Sequence, residues 1–308
     1  MLVGIALLAA LIVRVDGRQI VAALSQLEPA WVAASAALIL SSTLIGACNS
    51  HLFIGRDGTV PWSAFLPVYW VGWALNLIIP GQVGDIAGIS ALLRARHLPW
   101  HISVGRSLLD KIITIVIMTA CAVAGLLLVW HGYRKGQAHF EYEVQARFWL
   151  TAAGLVAGMT ALIVLALQSP SPNMTRFRLF LSDTLRELLI TARHNPLRVL
   201  LNFMFTLVKI FLTGGAYWCM FRAFGESGIG VLPVTLIAAA SSLVAYVPIS
   251  VNGIGTVEIA GMLLFGVLQL PAATVLSAYL VLRVLVLILA WFPAGIWLLL
   301  RADTRSVS

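Results

Sequence analysis

Six ionisable side chains interrupt otherwise apolar stretches of this sequence: Asp85, Asp110, Lys111, Lys209, Glu258 and Arg283. Where such stretches cross a bilayer, a charge at the centre costs roughly 2.5–3.5 kcal/mol on insertion scales, so it needs a partner or water. The spacing offers partners. Asp85 and Glu258 each follow a Pro/Gly-rich break, and Lys111 and Arg283 each lie about one helical arm later. One carboxylate and one cation in each half make two potential ion pairs. Such pairs either hold broken helices together or line a polar cavity that contacts a charged headgroup. Arg283 stands out because it lies deep within the apolar run 272–300. Lys209 has no counterpart in the other half, and snorkelling and a structural pair are equal readings of it.

The breaks carry their own backbone chemistry. Pro80 removes a donor and stops a helix. Gly81 and Gly84 then let the chain turn sharply. Pro248, Gly253 and Gly255 repeat this in the second half, and Asn76 and Asn252 add polar groups beside the breaks. N–H groups freed at the following helix starts could bind a phosphate, although a turn without a ligand explains the same residues. The candidate substrate-binding residues are therefore Asp85, Lys111, Glu258, Arg283, Asn76 and Asn252.

Catalysis finds little support. The sequence has no GxSxG, no Walker A, no Rossmann glycine pattern after a strand and no HExxH. No catalytic residue is assigned, and a non-enzymatic role is expected. An intramembrane transferase with Asp85 or Glu258 as base is kept as an alternative. The six histidines are scattered, and Cys48, Cys121 and Cys219 lie singly inside apolar runs. No metal site and no cofactor are expected, and the thiols read as buried and inert.

Apolar residues make up 60% of the 308 and charged residues 10%, against about 25% charged in a soluble domain. Mean hydropathy is +0.97. A soluble fold of this size cannot bury that much apolar surface. The runs lack two-residue alternation, which excludes a barrel and leaves an all-α polytopic membrane protein. The net charge of +8 does not indicate nucleic acid, because the basic residues sit between apolar runs as the positive-inside rule requires.

Runs long enough to span cover 29–54, 107–131, 147–168, 198–222 and 272–300. Met1–Val13 reads as a short first helix, because it lacks the flanks of a signal peptide. The regions 62–97 and 231–270 each read as an apolar arm, a Pro/Gly break and a shorter arm. They also resemble each other: Asp85-Ile-Ala-Gly88 matches Glu258-Ile-Ala-Gly261, Leu98-Pro99 matches Leu270-Pro271, and Lys111 falls opposite Arg283. One domain over 1–308, with repeat halves 62–131 and 231–300, is expected. The preferred topology has about six full spans and two re-entrant helical hairpins in an inverted repeat. It places twelve Lys/Arg inside and six outside. A model with nine full spans, in which the first region crosses once and the second twice, gives thirteen and five. Charge bias therefore does not separate them. The polar stretch 169–198 reads as a surface helix near anionic headgroups, with a partner-binding helix as the other reading. Gly84-x-x-x-Gly88 and Gly154-x-x-x-Gly158 read as close helix contacts.

Three stretches in order resemble the lysylphosphatidylglycerol synthase transmembrane-region family, a flippase-like group. Asn76-Leu-Ile-Ile-Pro-Gly-Gln-Val-Gly-Asp85 is similar to its first signature, and Tyr246-Val-Pro-Ile-Ser-Val-Asn-Gly-Ile-Gly-Thr-Val-Glu258 to its second. Ala278-Tyr-Leu-Val-Leu-Arg283 is similar to a later tyrosine–arginine element. The resemblance implies movement of a lipid between leaflets. The soluble synthase domain of two-domain relatives is not within these residues, so synthase activity is not implied. Gln82 and Val257 stand where relatives often have arginine, which argues against a strongly anionic headgroup. The expected function is a lipid flippase-like transporter of a bacterial inner membrane, with membrane lipids as partners. The alternatives are an accessory scaffold for a lipid-modifying enzyme, acting through 169–198, and the intramembrane transferase.

Overall fold

The computed structural model describes residues 2–15, 17–55, 60–79, 84–94, 100–134, 172–246, 250–266 and 268–306. Among them there is no strand. In chain order the helices are α1 (Leu2–Val15), α2 (Gly17–Ser25), α3 (Pro29–Ile54), α4 (Trp62–Asn76), α5 (Gly84–Arg94) and α6 (Trp100–Arg134). They continue as α7 (Pro172–His194), α8 (Pro196–Ala223), α9 (Val231–Leu243), α10 (Thr256–Gly266) and α11 (Ala272–Ser306). The expected span 147–168, with Gly154 and Gly158, lies outside the described residues.

Four described helices are long and apolar enough to cross a bilayer: Pro29–Ile54, His101–Gly125, Pro196–Ala223 and Ala272–Leu299. Proline opens both α3 and α8, where its fixed φ suits the first turn and its missing N–H has no intrahelical partner to lose. α6 starts at Trp100, well before the apolar run at 107. Arg106 is paired with Glu187, and Asp110 is hydrogen-bonded to α3 and α8, so these polar residues stay inside the helix.

α3 and α8 pack along their length through small and polar side chains. Ser35 Oγ donates to the Ala216 carbonyl at 3.0 Å, Ser42 Oγ shares a hydrogen bond with Thr213 Oγ1 at 2.9 Å, and Asn49 Nδ2 donates to Thr206 Oγ1 at 3.0 Å. Rising numbers in α3 meet falling numbers in α8, so the two helices are antiparallel. Where lipid tails remove the hydrophobic drive for helix association, such small-residue and hydrogen-bonded seams supply it.

The broken regions are built of short arms. α4 has 15 residues and α5 has 11; α9 has 13 and α10 has 11. None reaches the roughly 20 residues that a spanning helix needs. α4 and α5 lie against each other with almost no side chain between them. A Cβ built on Gly72 would sit 2.8 Å from the Asp85 Cα, and one on Gly88 would sit 3.5 Å from the Gly72 Cα. Gly84 abuts Leu75 and Asn76 in the same seam, so the Gly84-x-x-x-Gly88 pattern is a helix contact. Gly72→Ala is expected to force the arms apart and lower stability by about 1–3 kcal/mol, as overpacking does. Gly295→Ala, where a Cβ meets open space, is expected to leave it unchanged. Thermal unfolding of the two variants in detergent measures the difference.

The two broken regions also exchange supports. α4 packs on α11, with Trp70 Nε1 donating to the Leu289 carbonyl at 3.1 Å and Ala74 and Leu77 against Ala290 and Ala294. α9 packs on α6, with Ala239 and Leu243 against Ile117 and Met118. Each first arm thus leans on the long helix that follows the other break. α7, on the stretch read as a surface helix, docks beside the start of α6 through Glu187 and through Thr184, whose carbonyl crowds Gly105. At one end of the α3–α8 seam, Trp31 and Trp218 meet edge to face and the Arg222 guanidinium lies over both rings.

Candidate functional site

The second break shows how the sequence makes a buried charge bearable. After α9 a short 3-10 turn covers Val244–Tyr246, and a second covers Val251–Gly253 before α10 begins. Asn252, Gly253 and Gly255 have φ of 47°, 68° and 79°. Glycine enters this left-handed region at no steric cost, and asparagine tolerates it better than most residues. At Gly253 a Cβ would also strike Val257. The tight turn brings Glu258 into the first turn of α10, where its Oε2 accepts the Gly255 N–H at 2.7 Å. That bond is the reciprocal arm of a capping box. Glu258 Oε1 pairs with Arg283 Nε from α11. The remaining guanidinium nitrogens of Arg283 reach the Asn252 carbonyl at 3.3 and 3.4 Å. Glu258 is completely buried, whereas the Arg283 side chain keeps 20% exposure.

The first break reaches a similar end by another cap. Asn76, the last residue of α4, extends its Oδ1 to the N–H groups of Gly84 and Asp85 at 2.6 and 3.3 Å. Asp85 Oδ1 accepts the Ile86 N–H at 2.9 Å, and its Oδ2 lies 2.7 Å from Lys111 Nζ on α6. Pro80, Gly81 and Pro248 lie outside the described residues. One expectation is corrected here. At the start of α5 the N–H groups of Gly84, Asp85 and Ile86 do not await a phosphate, because Asn76 and Asp85 already accept their hydrogen bonds; at the start of α10 Glu258 takes the Gly255 N–H.

A third buried carboxylate has neutral partners. Asp110 Oδ1 accepts from Asn49 Nδ2 at 2.9 Å and Asn202 Nδ2 at 2.8 Å, and Oδ2 accepts from Ser50 Oγ at 3.1 Å. Three helices, α3, α6 and α8, therefore meet on one side chain. Lys209 lies in the electrostatic field of Asp110, Lys111 and Asp85, with its stem against Gly46, and makes no hydrogen bond or ion pair among the described residues. Neither a structural pair nor a repeat counterpart is seen for it.

A cavity of about 370 Å³ opens between these elements. Its wall takes Ser42 and Thr43 from α3, Trp73 from α4, Met118 from α6 and Thr213 and Tyr217 from α8. Ser242, Tyr246 and Asn252 come from the second break and its approach, and Tyr279 and Arg283 from α11. Of the six residues expected to bind substrate, Asn252 and Arg283 line this cavity. Glu258 stands behind Arg283 and orients it. Asp85, Lys111 and Asn76 form the other pair and cap but do not line the cavity. Tyr246 connects the two regions, because it borders the cavity and lies in the field of Lys111 and Asp85. The hydroxyl lining and the Asn49–Asp110–Asn202 cluster escape spacing arguments. Their only sequence signal is that each polar residue stands alone in an apolar run and needs a partner.

The two capped, ion-paired breaks occupy the stretches that carry the family signatures. The sequence matches the family model described as the lysylphosphatidylglycerol synthase TM region over residues 1–294. The chain belongs to this family. Membership makes it a multi-pass membrane protein and links it to lipid metabolism or transport. No curated protein and no solved structure matches the chain. For a lysylphosphatidylglycerol synthase TM region, the arrangement supplies a partly polar space at the end of a broken helix, walled in part by a cation that is already paired.

Proposed function

We propose that the chain carries a lipid headgroup between leaflets, as a flippase-like transporter of a bacterial inner membrane. The observation that carries this reading is the cavity, in which hydroxyls stand among apolar residues; it takes lining from both broken regions and has Arg283, paired with Glu258, in its wall. The headgroup enters the cavity while the acyl tails stay in the bilayer. The helix lengths suit an inverted repeat, which this reading includes. The series α4, α5, α6 has 15, 11 and 35 residues, and α9, α10, α11 has 13, 11 and 35. α3 and α8, which precede the two series, run antiparallel. On this reading the short arms are re-entrant hairpins from opposite leaflets, added to about six full spans.

Carriage also suits the carboxylates better than catalysis does. Both oxygens of Glu258 are committed, to the Gly255 N–H and to Arg283, and those of Asp85 to the Ile86 N–H and Lys111. A general base needs a lone pair within reach of substrate. In reconstituted vesicles with a leaflet-specific lipid assay, the protein is expected to accelerate exchange. Leu287→Trp, at the cavity wall, is expected to slow it by about tenfold with unchanged melting. No acceleration over protein-free vesicles would rule out the transporter.

A scaffold role has one observation in its favour: α7 exposes Leu179, Leu185 and Leu189 on a face shared with Arg178, Arg186 and Arg193. On that reading a lipid-modifying enzyme binds there. Leu185→Glu with Leu189→Glu should then remove a co-purifying enzyme and leave lipid exchange intact.

A further inference from the structure

We infer that the group received by the cavity is an uncharged, polyhydroxylated headgroup, that of a glycolipid. The inference deepens the transporter reading and takes from it only that the occupant is a lipid headgroup.

Charge is the first argument. Among the described residues Arg283 is the only charged side chain in the lining, and it is already neutralised by direct contact with Glu258. Its other nitrogens face the Asn252 carbonyl. A phosphate or carboxylate entering here would compete with Glu258 for one guanidinium, and would place two anions side by side away from water. A cationic headgroup fares no better. Arg283 faces it, while Glu258 is fully buried behind with both oxygens occupied. The other usual anion cradle, a row of free N–H groups at a helix start, is closed at α5 by Asn76 and Asp85, and at α10 Glu258 takes the Gly255 N–H.

Hydrogen-bonding character is the second argument. The wall is rich in hydroxyls: Ser42, Thr213, Tyr217, Ser242 and Tyr246. Each is both donor and acceptor and can rotate to suit. Ser42 and Thr213 are already bonded to each other, and Tyr217 and Ser242 face the same cavity. A sugar presents the same paired donor–acceptor groups, so it can exchange into such pairs without leaving a buried group unsatisfied. Trp73 adds an aromatic wall for the apolar ring face. The volume lies at the small end of the ~300–1,000 Å³ typical of small-molecule pockets.

The test uses nanodiscs that contain equal amounts of monoglucosyl diacylglycerol, phosphatidylglycerol and lysyl-phosphatidylglycerol with the same acyl chains. Lipids retained by the released protein are read by native mass spectrometry. Vesicles of the same three lipids report transbilayer movement separately. Retained monoglucosyl diacylglycerol is expected to exceed each charged lipid roughly fivefold, a preference that Ser242→Ala with Tyr246→Phe should erase. Preferential retention and movement of the glucolipid supports both readings. Preferential retention without movement of any lipid supports the headgroup class and overturns the transporter. Equal or better retention of either charged lipid, or no retained lipid, overturns the headgroup class, and movement in the vesicles then decides the transporter by itself.

Discussion

Arg283→Met is expected to lower stability by about 3–5 kcal/mol, the usual result of removing one partner from a buried ion pair. The reason is the carboxylate it leaves behind. Glu258 is completely buried at the start of α10, and without Arg283 its hydrogen-bond partner among the described residues is the Gly255 N–H. Glu258→Gln with Arg283→Met removes both charges and leaves the glutamine carbonyl to accept from Gly255. That double variant is expected to recover most of the lost stability, since neutral replacements of buried pairs are often tolerated. Its transport should stay low, because the guanidinium no longer lines the cavity. Chemical or thermal unfolding in detergent, beside the vesicle assay, reads both effects. A single Arg283→Met variant as stable as the wild type would show that the pair does not hold the break. A double variant with full transport would free the cavity from any need for Arg283.

The elements with the clearest sequence signal were the long ones. The run 29–54 is the helix Pro29–Ile54, and 272–300 lies within Ala272–Ser306. An uninterrupted apolar stretch leaves the backbone no other way to satisfy itself in lipid. The start of α6 was less legible, because Arg106 reads as the end of hydrophobicity, and Asp110 stands as an unexplained charge inside the run 107–131. Their partners on α7, α3 and α8 lie 60 to 92 residues away in sequence, beyond any local pattern. The two ion pairs were legible for a different reason: the resemblance of Asp85-Ile-Ala-Gly88 to Glu258-Ile-Ala-Gly261 marked a carboxylate with a cation at nearly the same interval after it in each region. What repetition did not reveal is their inequality. Asp85–Lys111 sits outside the cavity, while Glu258–Arg283 borders it, because Tyr246 and Asn252 of the second break fold inward over the space between. The role of Asn76 was half legible. Its place beside the break marked it as polar and local, but its geometry as the cap of α5 settles why no anion is needed there.

Asp110→Leu is expected to be about as damaging as loss of Arg283, for a reason that involves no ion pair. One carboxylate takes hydrogen bonds from Asn49, Ser50 and Asn202. Leucine would strand three donors, each costing about 1–3 kcal/mol when buried and unsatisfied. Asp110→Asn keeps one acceptor oxygen and is expected to lose less. Asp183→Ala, on the exposed face of α7, should fall within about 0.5 kcal/mol of wild type. Replacing Asn49, Asp110 and Asn202 together with leucine removes two of the three donors along with their acceptor and leaves only the Ser50 hydroxyl, and should be less harmful than Asp110→Leu alone. The effect should reach function as well. Ser42 lies about two turns from Asn49 along α3, and Thr213 lies about two turns from Thr206 along α8. The clamp at Asp110 therefore sets the register of the seam that supplies the hydroxyl wall of the cavity. In Asp110→Asn, a glucolipid preference that falls while the fold still melts cooperatively would show that register at work. An unchanged preference, with only the melting lowered, would confine Asp110 to holding the three helices together.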